Sequence, residues 1–428
     1  MKSLEKFQQK IEKVLSSTFV RNVGWLSGAE LVNRVVRLAT TVVLARFLTK
    51  YDYGLAAIVL ATYEFTRVFA HMGIAAKLIQ AEEDEDFEDL CNAAYWLTWT
   101  LYGGIFLIQC LVSFLVAWFY GERALVPLIC ISALQFLIIP ISVVQYALIH
   151  RENRLSITAI SALVTTSSSN ILSLIGAALG FGVWAIVIAQ VLATPAHVFI
   201  HYFNHSWRPT AKFSTHRWGE IFHFGKNLLG VELLNVLRNN LDYLLVGRFL
   251  GLEELGIYYF AFNAGLGISL SLTNSMRAAM LPHFCAVRSS LQALKKQYFK
   301  SLKVIGGTII PLVLLQSSLA PFYVPIVFGE KWIPAIPVLI LICLSAIPRP
   351  FSESASQLLI AIGKPNLDFK WNIIFTALFT SSLFIGVQWQ SLGVAITVLL
   401  VHATALPAFA FWATRYTFRA QQAAKSFP

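Results

Sequence analysis

The chain is 428 residues long, 57% hydrophobic and only 13% charged, with a formal net charge of +11. Soluble globular domains carry about 25% charged residues, so this composition excludes a water-soluble enzyme or binding module and identifies a polytopic membrane protein. The basic residues are interleaved with long apolar runs, which makes the positive balance a feature of topology and not a nucleic-acid footprint.

Residues 1–19 lack the apolar core of a cleaved signal. Leu4, Phe7, Ile11, Val14 and Leu15 nevertheless share one helical face, which predicts an amphipathic cytoplasmic helix lying on the inner leaflet. Twelve stretches follow that can each cross about 30 Å of hydrocarbon. Six fall in an N-lobe, 20–204, at 20–47, 53–78, 91–119, 124–148, 155–179 and 182–204. Six fall in a C-lobe, 225–413, at 225–249, 256–281, 302–327, 334–361, 368–388 and 391–413. Residues 205–224 read as a cytoplasmic linker with an interfacial helix, and 414–428 as a cytoplasmic tail. Of the 33 Lys and Arg residues, 22 lie on the side of the N-terminus and only Lys50, Arg123 and Lys331 on the other. Cytoplasmic loops hold the positive excess, so both termini are expected in the cytoplasm.

The two lobes are expected to be copies. An offset of 202 residues aligns Gly28, Glu30, Leu31 and Asn33 with Gly230, Glu232, Leu233 and Asn235, then Arg46, Phe47, Leu48 and Gly54 with Arg248, Phe249, Leu250 and Gly256. Offsets of 210 and 211 pair Pro127 and Pro140 with Pro337 and Pro350, and Gly182-Val183 with Gly393-Val394. Because each copy holds an even number of spans, the repeat is parallel and its pseudo-two-fold axis lies along the membrane normal. The predicted architecture is all-α, with twelve transmembrane helices in two six-helix lobes and a cleft between them.

The remaining eight basic residues are arginines inside the spans: Arg34, Arg37, Arg46, Arg67, Arg238, Arg248, Arg277 and Arg349. A mid-bilayer arginine costs roughly 2.5–3.5 kcal/mol, so eight facing lipid would cost on the order of 20–28 kcal/mol. They must face water, partners or an anionic cargo. Glu30, Arg34, Arg37 and Thr41 share one stripe of span one, and Glu232, Asn235, Asn239 and Asp242 the matching stripe of span seven, with Arg238 beside it. Span two adds Glu64, Arg67 and His71, and span eight adds Asn263, Asn274 and Arg277.

Facing stripes would line a wet, positive cavity. Arg34, Arg37, Arg67, Arg238 and Arg277, with Asn235, Asn239 and Asn274, are its candidate substrate-binding groups, since a planar guanidinium stays charged and grips phosphate or carboxylate with two hydrogen bonds. Intrahelical pairing of Glu30 with Arg34, Glu64 with Arg67 and Arg238 with Asp242 is the competing structural reading. The spans hold only five acids, Glu30, Glu64, Glu232, Asp242 and Glu353, which cannot neutralise eight arginines. Arg46 and Arg248, at equivalent helix ends, read as anchors. Glu30, Glu64, Glu232 and Asp242 are candidates for coupling to a proton or sodium ion. Pro140 in span four and Pro350 in span ten remove backbone donors at equivalent places and are candidate hinges.

Catalytic and metal chemistry finds no support. The five cysteines have no ligand or redox spacing, His197, His201 and His402 have no acid or cysteine at ligand spacing, and Asp84-Glu85-Asp86 lies in an acidic loop with no domain to hold a nucleotide. No enzyme activity, metal or cofactor is expected.

Several stretches resemble the polysaccharide flippases of the multidrug/oligosaccharidyl-lipid/polysaccharide exporter superfamily. They are Leu48-Thr49-Lys50-Tyr51-Asp52-Tyr53-Gly54, Val246-Gly247-Arg248-Phe249-Leu250-Gly251 with Leu255-Gly256-Ile257-Tyr258, Gly182-Val183-Trp184-Ala185, and Phe328-Gly329-Glu330-Lys331-Trp332. The resemblance covers about 20–415 and implies a fold like that of the multidrug exporters, with two lobes and a cationic cavity. It implies movement of undecaprenyl-pyrophosphate-linked oligosaccharide across a bacterial inner membrane for O-antigen, capsule or exopolysaccharide assembly, with a polymerase and a chain-length regulator as partners besides membrane lipids. The related lipid II flippases keep arginines in helices one, two and eight, similar to Arg34, Arg67 and Arg277. A cation-coupled drug antiporter of the same superfamily would share the fold, but its cavity should be acidic or apolar. A membrane glycan polymerase or ligase would need a sizeable outer loop, where this chain has only short ones.

Overall fold

The structure, a computed structural model, describes residues 18–71, 73–81, 86–210 and 212–425. Within these, the side chains of 18–31, 34, 71, 226–228, 231, 267–272, 274–279 and 419–425 lie outside the description. The expected amphipathic helix falls before α1 and, but for residues 18 and 19, lies outside the described residues, as do residues 82–85 of the acidic loop.

No strand occurs among the described residues. The first helices are α1 (Thr18–Phe47), α2 (Lys50–His71), α3 (Ile74–Gln80), α4 (Phe87–Tyr120), α5 (Leu125–Ala133), α6 (Gln135–Ile138), α7 (Val143–Arg151), α8 (Leu155–Ala178), α9 (Trp184–Asn204) and α10 (Trp218–Leu250). There follow α11 (Leu252–Val287), α12 (Leu291–Tyr323), α13 (Ile336–Ser345), α14 (Arg349–Ala361), α15 (Pro365–Gly386) and α16 (Gln390–Lys425). Among the described residues, seven stretches are long and apolar enough to cross a membrane, the last of them, Pro365–Phe418, containing two helices. Helices α1, α2, α10 and α11 are long and carry charged and amide residues within them. These are the helices that hold Arg37, Glu64, Arg67, Glu232, Arg238 and Asn263.

Helix breaks follow local chemistry. The expected span 53–78 is divided: α2 ends at His71, and α3 restarts after Gly73, whose φ of 68° is left-handed. Around Pro140 the helix tightens into a 3₁₀ turn, Ile139–Ser142, between α6 and α7. Around Pro350 it stops at Ser345 and resumes at Arg349, with the proline in the first turn of α14, where a missing N–H costs nothing.

The chain falls into two compact units, Met1–Asn239 and Asn240–Pro428. In the first, α1 packs on α8, α8 on α9, and α2 on α4, α5 and α9. Phe136 is fully buried, stacked on Tyr63 at 5.1 Å and edge-on to Tyr102 at 5.9 Å. In the second, α11 packs on α12, α13 and α14, and α16 on α13, α14 and α15. There Trp332 is fully buried and stacks on Phe260 at 4.0 Å. In hydrocarbon one apolar helix face gains nothing over lipid from the hydrophobic effect, so such interdigitated contacts supply the cohesion. Outward faces stay apolar: Trp118 is 82% and Leu111 69% exposed.

The dividing point falls inside α10 and not in the 205–224 linker, because Ile221 is buried with Ile74, Leu78, Leu90 and Leu148, and Trp218 packs against them. The described linker residues before Trp218 hold no interfacial helix. Several of their polar groups bond to neighbouring helices or to one another instead. Asn92 Nδ2 donates to Thr210 Oγ1 (3.1 Å), the Thr210 N–H donates to Asn92 Oδ1 (3.0 Å), and Thr210 Oγ1 donates to Glu88 Oε1 (3.0 Å). Gln145 Nε2 donates to the Trp207 carbonyl (3.2 Å), and Arg208 to the carbonyls of Tyr202, His205 and Trp207. Arg217 donates to the Asp86 carbonyl (2.8 Å), and Lys77 Nζ stands 2.6 Å from Glu220 Oε1.

Candidate functional site

The backbones of Arg34 and Glu30 lie on α1 and those of Asn274 and Arg277 on α11, while their side chains lie outside the described residues. Arg37 projects from α1 as an exposed cation; Thr41 Oγ1 caps its carbonyl oxygen at 2.8 Å, and among the described residues no carboxylate pairs with its guanidinium. One turn from the end of α2, Arg67 Nη2 donates to Glu64 Oε2 at 2.6 Å, with the two side chains 44% and 41% exposed. The intrahelical pair of the competing structural reading is therefore formed, with both side chains exposed.

On α10, Glu232 and Asn239 are exposed, and Arg238 Nη2 donates to Asn235 Oδ1 at 3.2 Å. Asp242 departs from the expected stripe. It is 4% exposed, accepting from Tyr258 Oη of α11 at 2.8 Å and from the Tyr243 N–H at 3.0 Å. In place of the competing pairing with Arg238, it takes Tyr258 and the field of Arg349 on α14. The reason is packing: one residue on, Tyr243 of α10 sits edge-on to Tyr258, Tyr259 and Phe262 of α11. Arg46 and Arg248 are exposed at their helix ends. Pro140 and Pro350 are both buried at their helix breaks.

Two groupings escaped the sequence reading. Arg349, passed over as a binding residue, acts electrostatically on Asp242, Tyr243 and Tyr258. Histidines from separate helices also gather around Tyr146: His150 lies 4.4 Å from it, His201 5.3 Å, and His197 4.3 Å from His201. Ser161 Oγ lies within hydrogen-bond distance of both His197 and His201. The spacings of 197 with 201 on α9 and of 146 with 150 on α7 were the cluster's local signals. No group of His, Cys, Asp and Glu suited to a metal ion occurs among the described residues.

The family motifs prove to be joints. Thr49 caps α2: Asp52 Oδ2 accepts from the Thr49 N–H (2.9 Å) and hydroxyl (2.6 Å), while the Asp52 N–H donates to Thr49 Oγ1 (3.1 Å). The other Asp52 oxygen accepts the Val183 N–H at 3.1 Å. In the second unit Glu254, in the first turn of α11, accepts from Ser391 Oγ at the start of α16 (2.5 Å).

The chain is 27% identical to the lipopolysaccharide biosynthesis protein WzxC of Escherichia coli (strain K12), over 89% of this chain and 78% of that one. It is 28% identical to the teichuronic acid biosynthesis protein TuaB of Bacillus subtilis (strain 168), over 91% and 80%. In fold it is similar to an inward-facing multidrug resistance MATE family transporter of the MOP superfamily, with TM-score 0.74, 15% identity, and 92% and 96% of the chains covered. It is also similar to the lipid II flippase MurJ in an inward closed conformation, with TM-score 0.73, 14% identity, and coverage of 92% and 89%. With its long apolar helices, the chain is a multi-pass membrane protein. Residues 43–337 match the family described as polysaccharide biosynthesis protein, and the chain belongs to that family.

Proposed function

We propose that this protein is a flippase that carries undecaprenyl-pyrophosphate-linked oligosaccharide units across a bacterial inner membrane for surface polysaccharide assembly. The observation that carries the reading is the exposed guanidinium of Arg37 on one of the least apolar long helices, where no acid neutralises it among the described residues. Arg67 and Arg238 add cations on α2 and α10, and Arg34 and Arg277 add two more by sequence. A pyrophosphate suits such a set, because each guanidinium offers two parallel donors to phosphate oxygens.

In this reading twelve spans form two six-helix lobes related by a pseudo-two-fold along the membrane normal, both termini face the cytoplasm, and alternating access moves the cargo. The ties Asp52–Val183 and Glu254–Ser391 support the repeat, since the offset of 202 aligns Asp52 with Glu254 and Ser391 lies three residues before Val394, which the offset of 211 aligns with Val183. Asp242 would be the site through which a proton or sodium gradient acts, and a polymerase and a chain-length regulator would receive the cargo. The arginine excess disfavours a carrier of cationic drugs.

The test is complementation of a strain lacking this protein, with lipid-linked intermediates followed on each leaflet. The expected result is cargo trapped on the cytoplasmic leaflet until the wild-type chain is restored. Surface glycan at normal levels without the protein, in a strain with no second exporter, would remove the reading.

A further inference from the structure

A groove of about 260 Å³ opens on the second unit between the beginning of α12 and the end of α16, lined by Lys295, Phe299, Phe411, Thr414, Arg415 and Phe418. Its floor is fixed. Tyr298, fully buried, shares a 2.8 Å hydrogen bond with Thr414, and its ring lies 6.0 Å from Phe418. Its walls are aromatic and open outward, with Phe411 67% and Phe299 42% exposed. Two cations, Lys295 and Arg415, stand on the same groove, and neither joins an ion pair among the described residues.

The surroundings are acid-free. No Asp or Glu occurs between Glu254 and Glu330 or after Asp368, whereas Arg288, Lys296, Lys300 and Lys303 flank the groove in sequence. The groove also sits where the apolar runs 302–327 and 391–413 end, which is the level of lipid headgroups on the Lys/Arg-rich side.

From this juxtaposition we infer that the groove is a binding site for an anionic phospholipid of the surrounding leaflet, its phosphate held between Lys295 and Arg415 and an acyl chain laid along Phe299 and Phe411. A soluble anion would find the two cations but would leave the aromatic wall uncovered. A zwitterionic lipid would cover the wall but bring its own cation to the pair. An acidic lipid satisfies both parts, and basic residues at the surface attract it additively. The inference does not depend on the cargo or on the transport cycle.

Full-length protein purified in detergent is titrated with phosphatidylglycerol, with phosphatidylcholine and with inorganic phosphate, and bound molecules are counted by native mass spectrometry. The expected result is saturable retention of phosphatidylglycerol, weaker retention of phosphatidylcholine and none of phosphate. The K295Q/R415Q double variant should bind phosphatidylglycerol about thirtyfold more weakly, as expected for losing two surface cations. The K296Q/K303Q variant, altered on the same helix outside the groove, should change by less than about threefold, and F411S should weaken lipid without adding phosphate binding. Equal losses in the two double variants would reduce the effect to diffuse attraction and overturn the proposal. So would equal retention of the two lipids, or phosphate competing at the concentrations that saturate with lipid.

Discussion

The Asp52 carboxylate accepts the backbone N–H of Val183 at 3.1 Å, joining the first turn of α2 to the turn that launches α9 across 131 residues of chain. Gly182 makes this approach possible: its φ is +54°, and a Cβ there would stand 2.8 Å from Asp52 Oδ1. Gly180, two residues earlier, is also left-handed at +81° but has nothing within 4 Å.

The two glycines therefore separate strain from contact. Gly180→Ala should cost about 1–2 kcal/mol through backbone strain alone, and Gly182→Ala should cost more because Asp52 must also move. Thermal unfolding in detergent checks the order; equal losses would mean that the Asp52 contact contributes nothing. Asp52→Asn should fall between wild type and Gly182→Ala.

Arginines in the exposed set should matter for transport and little for folding. Arg37→Gln and Arg67→Gln are expected to lower glycan export roughly ten- to a hundredfold at unchanged protein levels, the worth of one charge-assisted hydrogen bond to phosphate. Arg248→Gln, at a helix end, should export within about twofold of wild type. Wild-type export by both Arg37→Gln and Arg67→Gln would sink the proposed cargo contacts.

Asp242 is predicted to be structural first. Tyr258→Phe removes the 2.8 Å phenol donor and leaves a buried acceptor unsatisfied, which should cost about 1–3 kcal/mol of stability. If Asp242 also couples an ion gradient, Asp242→Asn will lose gradient dependence while Tyr258→Phe keeps it. Transport assays in vesicles with imposed proton or sodium gradients distinguish the two.

At the linker, the Lys77 ammonium, seconded by Arg217, holds the Glu220 carboxyl below the usual carboxylate range. A lowered folded pKa means the contribution is complete above about pH 4.3, the unfolded value, and fades as pH falls through the folded one. Because Glu220 is 40% exposed, solvent screening limits the contribution to about 1 kcal/mol or less. Glu220→Gln should therefore be slightly less stable than wild type at neutral pH, and the two should converge below pH 4 in thermal scans.

The helical class and the placement of most apolar runs were legible in the sequence, because lipid imposes a length and a hydropathy that any window of residues displays. The stripe on α10 was legible only in part. Spacing puts Asn235, Asn239 and Asp242 on one face, but whether that face meets water or aromatic residues depends on α11, which periodicity does not encode. Likewise Asp52 read as one letter of a loose motif; its partner lies far along the chain, and nothing local marks the pairing. The histidines around Tyr146 come from different helices, so no single spacing could announce them. Arg349 was counted as a charge but not placed, since its neighbours Asp242 and Tyr258 belong to other helices.

The crossing between α9 and α10 is laced to its surroundings at Asn92, Glu88, Gln145 and Asp86. Stitched at Trp207, Thr210 and Arg217, the described path behaves as a seam and not as a tether. Cutting the peptide there would sever one covalent bond while leaving both new ends sewn to the same helices.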